Sequence, residues 1–136
     1  MTFLLEWKGR VTRTGKQVGD AAGGFSVNGD ATAAEVFVNA WGFWSVDVAA
    51  AFRSTVLDAC TPLAFKRLVL DFRALRPMRD EGQQGVSAVM AALPRLGIER
   101  ATVITSSQLT KLQLLRIVRE TSAKDRVEFI ERAEDA

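Results

Sequence analysis

The run FKRLVLDFRALRPMRDEGQQGVSAVMAALPRLG, from Phe65 to Gly97, decides how the chain is read. Within residues 67–72 three apolar residues stand in a row, Leu68, Val69 and Leu70. A short continuous apolar run predicts a central strand covered on both faces. Asp71 falls at the C-terminal end of that strand, and a loop over residues 74–79 carries Pro77. Asp80 then stands where a helix N-cap belongs, and Gln83, three residues on, completes an Asp-x-x-Gln capping box. Val86, Val89, Met90 and Leu93 recur at helical spacing and predict one buried face. Pro94 and Gly97 mark the end of the helix. Ligands and partners of open α/β sheets dock at the loops after the carboxyl ends of strands. The loop over residues 76–84 is therefore the first candidate surface.

Working outward toward the C-terminus, residues 100–105 (RATVIT) read as the next strand. Ser106 or Ser107 caps a helix with Leu109, Leu112, Leu115 and Val118 expected inward. Lys124-Asp125 is a turn, residues 127–130 a last strand, and residues 131–136 a charged tail. Toward the N-terminus, residues 35–40 (EVFVNA) alternate as a strand does. Trp41-Gly42-Phe43-Trp44 turns the chain, and Ser45 caps a helix that runs to about Cys60. Asp47 lies in its first turn, where the helix dipole favours a carboxylate. Val48, Phe52, Val56 and Ala59 form its buried stripe, and Thr61-Pro62 stops it. Residues 9–33 hold six glycines and read as loops and short edge strands, residues 25–28 among them, while residues 3–8 suggest a strand closed by a turn at Gly9. The run GRVTRTGK is no phosphate loop: five residues separate its glycines instead of four, and Gln17 stands where a magnesium-binding hydroxyl is needed.

From residue 35 the order is β-α-β-α-β-α-β, which predicts an α/β fold with a mixed, mainly parallel sheet and helices packed on it. The N-terminal strands add an antiparallel edge. A length of 136 residues and the absence of a linker or repeat give one domain, residues 1–136. The chain is 48% apolar and 25% charged, ordinary globular values. A net charge of +2 is too weak an excess to argue for nucleic acid. One cysteine, Cys60, excludes an internal disulfide and a stapled secreted scaffold. The N-terminal residues have no basic stretch before their short apolar run, and no run approaches the ~18 residues of a membrane span. The chain reads as cytoplasmic and not as an integral membrane protein. It has no histidine and no tyrosine, so histidine triads and histidine zinc sites are impossible. No cofactor is expected.

At this point the chain resembles the STAS superfamily, the SpoIIAA-like fold of anti-sigma-factor antagonists. The matching run is LVLDF (residues 68–72) followed by RPMRDEGQQG (residues 76–85). Gly42-Phe43-Trp44-Ser45 is similar to a turn that opens the first helix in a SpoIIAA-like subgroup. The resemblance covers residues 34–131. It implies a non-enzymatic regulatory module that binds a protein partner. Family members are switched by phosphorylation of a Ser or Thr at the start of the second helix. Here Asp80-Glu81-Gly82-Gln83 offers no hydroxyl, and Ser87 lies too far along. A phosphoswitch at that position is therefore not expected.

The expected partner surface is Arg76, Pro77, Met78, Arg79, Asp80, Glu81 and Gln84, with Trp41, Phe43 and Trp44 as a second patch or as a plug for the core. Arg73, Arg76 and Arg79 could gather an anion or lie on a solvated loop. Cys60 reads as a buried filler, and Lys111, Arg116 and Arg119 as a solvated helix face. A small apolar or lipid-like ligand in a crevice between sheet and helix is the alternative function. A carboxylate-based enzyme, using Asp58, Asp71, Asp80 or Glu81, is a third. The expected partner is a protein, and a homodimer is compatible with this reading.

Overall fold

A computed structural model describes residues 2–7, 10–61, 65–121 and 123–133. The elements follow in the order β1 (Thr2–Trp7), β2 (Arg10–Asp20), β3 (Gly23–Asp30), β4 (Glu35–Gly42), α1 (Val46–Cys60), β5 (Arg67–Leu75), α2 (Asp80–Leu96), β6 (Arg100–Thr105), α3 (Gln108–Glu120), a single 3-10 turn (Lys124–Arg126) and β7 (Val127–Glu131). The seven strands form one sheet in plain sequence order. β1 to β4 make an antiparallel meander, and β4 to β7 pair in parallel. The sheet is mixed, as expected, but parallel and antiparallel pairings are equal in number, three of each, so "mainly parallel" is corrected. The reason lies between residues 10 and 30: the strand expected at residues 25–28 is present inside β3, but residues 10–20 and 23–30 are neither loops nor short edge strands. They form two long strands, and Gly15 sits inside β2 paired with Asn28. The expected turn at residue 9, Pro62 as a helix stop and the last three residues of the tail lie outside the described residues.

Consecutive parallel strands lie side by side, so crossovers of one hand place α1, α2 and α3 on the same face. α1 packs on α2, and α2 on α3. The core fills the layer between them and the sheet. Phe25, Val27, Val36, Val38, Ala40, Leu68, Leu70, Phe72, Ala101 and Val103 come from the sheet, with Val48, Phe52, Val56, Val86, Val89, Met90, Leu93, Leu114 and Ile117 from the helices. Among the described residues, no helix lies on the opposite face of the sheet. Alternation along β4 makes this plain: Val36, Val38 and Ala40 are buried, while Phe37 and Asn39 are exposed. The expected two-sided cover of the central strand is thus corrected. Leu68 and Leu70 are fully buried, but Val69 lies on the bare face and is half-buried.

Several local expectations hold. Ser45 caps α1, its Oγ accepting from the Val48 amide at 3.2 Å. Ser107 caps α3 through the Thr110 amide. Gly97 ends α2 with φ +76°, a left-handed conformation suited to glycine, and Pro94 is accommodated in the last turns. Three expectations fail. β5 continues past Asp71 to Leu75, so Asp71 is inside the strand and the loop shortens to four residues, 76–79. The capping box does not form: Arg79 takes the cap position without a side-chain bond, Asp80 is the first helical residue, and the Gln83 amide bonds the Met78 carbonyl instead. α3 is also rotated from its expected phase. Thr110, Leu114, Ile117 and Val118 face the sheet, while Leu109 and Leu112 are exposed. A constant spacing of three drifts by roughly 60° per step around a 3.6-residue helix. Leu109, Leu112, Leu115 and Val118 therefore cannot share one face.

Candidate functional site

The parallel strands end together, and the site is built from the three connections that leave them. The first follows β4. Gly42 has φ +68°, and a Cβ there would come 2.1 Å from the Ala22 carbonyl oxygen. The Phe43 amide donates to that same oxygen at 3.0 Å. The β2–β3 turn thus pins the exit of β4, and only glycine fits. Trp44 folds back over the core edge: its Nε1 donates to the Gly24 carbonyl at 3.0 Å, and its ring meets those of Phe25, Phe52 and Phe72 at 4.8–6.4 Å. Trp41 is held within β4, donating to the Asp20 carbonyl at 2.7 Å. Phe43 is left 71% exposed, followed by Val46 at 62%. The three aromatics therefore divide their roles, with Trp44 closing the core and Phe43 projecting.

The second connection, residues 76–79 between β5 and α2, is held from both sides. The Arg76 amide donates to the Gly42 carbonyl at 3.0 Å. The Gln113 side chain from α3 grips Met78 twice, accepting from its amide at 2.9 Å and donating to its carbonyl at 3.0 Å. Gln83 donates to that carbonyl at 2.9 Å, and the Arg116 guanidinium donates to the Gln83 amide oxygen. The Met78 side chain packs over Gly82 and is 6% exposed, part of the core cluster. Its assignment as a partner-contacting side chain is corrected: flexible and apolar, it fills the gap above a glycine. Arg76, Arg79, Asp80, Glu81 and Gln84 are exposed, and Pro77 is half-buried. The loop and the β4–α1 turn are one surface. Phe43, Trp44, Ser45, Pro77, Met78 and Arg79 line a shared open cleft of about 400 Å³. Beside it, Val46, Ala49, Ala50, Arg53, Glu81, Gln84 and Gly85 line a groove of about 300 Å³ between α1 and α2.

The third connection leads from β6 into α3 and brings Leu109 and Leu112, 57% and 54% exposed, to the same end of the molecule. These two were expected inward; the drift of a three-residue repeat was the signal that could have placed them outward. The rim formed by the three connections thus carries exposed apolar side chains at both flanks, Phe43 with Val46 and Leu109 with Leu112, around a braced polar loop.

Other expected groupings do not form. Arg73 lies on the bare face of β5 and forks onto Asp71, with Nε to Oδ1 at 2.9 Å and Nη2 to Oδ2 at 2.7 Å. It is therefore not gathered with Arg76 and Arg79 around an anion. These bonds hold the Asp71 carboxyl below its ordinary value, against the opposing effect of its burial. Burial pushes the Cys60 thiol up to about 11, as suits an inert filler. Asp58 is on α1, Asp71 on the opposite side of the sheet, and Asp80 and Glu81 at the start of α2; none of the clefts described here joins two of them. Of the basic run on α3, Lys111 pairs with Glu131 and Arg116 with Gln83, while Arg119 is exposed. Among the described residues no cluster of three or more potential ligands could hold a metal ion, and no helix is long and apolar enough to cross a membrane. No family model, curated protein or solved structure matches the chain significantly.

Proposed function

We propose that this chain is a non-enzymatic regulatory module of STAS/SpoIIAA-like type that docks a protein partner on its rim, without a phosphoswitch at the start of α2. The observation that carries this reading is the bracketing of a braced loop by exposed apolar side chains, Phe43 and Val46 on one side and Leu109 and Leu112 on the other. Large apolar groups exposed together mark interaction sites in soluble proteins. The double grip of Gln113 on Met78 lowers the ordering cost of binding at the loop. Arg76 and Arg79 against Asp80 and Glu81 leave the rim charge-balanced, so geometry rather than steering sets specificity. The crevice that a lipid-like ligand would need is filled by Phe52, Phe72, Val86, Val89 and Met90.

The test is a paired variant, Phe43→Ser with Leu112→Ser. Both side chains are more than half exposed, so melting should stay within about 1 kcal/mol of wild type. A partner recovered with the wild-type chain should be retained roughly 10–100-fold less well, the range expected when anchor contacts are lost. Undiminished binding by a folded variant would sink the reading. A small molecule seen by native mass spectrometry and lost in the same variant would turn the cleft into a ligand site.

A further inference from the structure

The bare face of the sheet has a charge pattern that the rim does not use. Across β3, β4, β5 and β6, the residues in direct register at one level are Asp30, Glu35, Arg67 and Arg100: acid, acid, base, base. The next level reads Asn28, Phe37, Val69 and Thr102: polar, apolar, apolar, polar. The third reads Ser26, Asn39, Asp71 and Ile104. Side chains alternate between faces, and the buried Phe25, Val27, Val36, Val38, Leu68 and Leu70 point to the helices, so these three rows point away from them. Asp30, Glu35, Asn28 and Phe37 also line one common cleft on that side.

A parallel segment is ordinarily covered on both faces. This one is covered on one, with Phe37 36% exposed in the middle strand of seven and Val69 half-buried beside it. From the register we infer that the bare face is a self-complementary interface for a second copy of this chain. The two-fold axis runs along the strands between β4 and β5. That operation lays β4 of one copy on β5 of the other, and β3 on β6. Glu35 then meets the second copy's arginine at position 67, and Asp30 the one at 100, each contact occurring twice as an isologous interface requires. Phe37 falls on the apolar position 69, and Asn28 on the hydroxyl at position 102. The third row contributes little: Asp71 and Ile104 are buried and the Asp71 carboxylate is held by Arg73 of its own chain, so the first two rows carry the match. The sheets stack face to face with strands roughly aligned, as in a β-sandwich. The seven-strand face is on the order of 30 Å wide and about 17 Å long over the three rows, roughly 500 Å² of flat area, which is toward the small end of the interfaces that hold stable pairs. Within one chain Arg67 already leans on Glu35, Nε to Oε2 at 3.5 Å, so the second copy would complete a four-charge network.

The experiment uses the two single variants Glu35→Arg and Arg67→Glu with sedimentation velocity. Wild type should sediment as a dimer. Each variant alone sets like charges against each other at both contacts, and each should sediment as a monomer that still melts in one cooperative step, below the dimeric wild type. Mixed in equal amounts, they should restore the dimer as a mixed pair, because the arginines of one then meet the glutamates of the other at both contacts. Rescue by mixing cannot come from within a chain, since the internal Glu35–Arg67 pair is broken in both variants. A monomeric wild type, dimers that survive both single changes, or folded variants that stay monomeric when mixed would each overturn the inference. The rim pair Phe43→Ser with Leu112→Ser should leave the mass unchanged, which separates this surface from the proposed docking rim.

Discussion

Asp71 and Arg73 illustrate how much a single pair can depend on its place in the sheet. Two residues apart on one strand, they share a face, and the guanidinium closes over the carboxylate with both of its oxygens engaged. Arg73 also reaches the Ala133 carbonyl at 3.5 Å and so touches the segment after β7. The folded-state pKa of Asp71 lies below its unfolded value near 3.8. The pair's contribution is therefore fully present above that value and is lost as pH falls through the lowered one. Asp71→Asn should cost about 1.5–3 kcal/mol at pH 7, in the range of hydrogen bonds to charged groups. The gap to wild type should close as pH drops below the ordinary carboxylate range. Denaturant titrations at neutral and strongly acid pH read this directly, and a gap that widens on acidification would reverse the sign.

At the scale of elements, the loop between β5 and α2 owes its shape to a side chain on α3. Gln113 presents an amide to the Met78 peptide much as a neighbouring strand would, matching one donor and one acceptor. Gln113→Ala leaves the Met78 amide without that acceptor in a part-buried place. The expected cost is about 1–3 kcal/mol, with faster hydrogen exchange at the Met78 amide. Unchanged exchange would mean that Gln83 and the packing of Met78 on Gly82 hold the loop by themselves. The same contact explains the phase of α3. With Gln113 and Arg116 turned to the α2 side and Leu114 and Ile117 to the sheet, Leu112 is left outward.

For the whole molecule, the decisive fact is that the sheet has one dressed face and one bare one. Leu70 and Val69 are neighbours of similar chemistry on opposite sides of it. Leu70→Asp puts a charge into a fully closed layer and should cost several kcal/mol or prevent folding. Val69→Asp places it on the half-open face and should cost about 1 kcal/mol in chain stability. Thermal melts of the two variants, run dilute enough to keep the chain monomeric, separate a one-sided from a two-sided sheet; equal, large losses would mean that the chain itself closes the face opposite the helices.

Local sequence accounts for the alternation of strand and helix from residue 35 on, the cap at Ser45, a serine cap at position 106 or 107, the left-handed stop at Gly97 and most of the buried stripes of α1 and α2. Each of these rests on short-range physics: periodicity, capping geometry and the conformational freedom of glycine. The loop over residues 76–79 also lies at the carboxyl ends of the parallel strands, as the order of strand and helix alone requires. The remainder depends on long-range pairing and packing. Residues 10–20 and 23–30 look loop-like through their glycines, yet pairing with neighbouring strands makes them strands, since ladder bonds form across the chain and leave little local trace. Met78 reads as a contact residue until Gly82 opens a space beneath it. A run such as Leu68-Val69-Leu70 looks the same whether one face or two are covered. Which it is depends on where the crossovers lie, and no local rule on three residues contains that information.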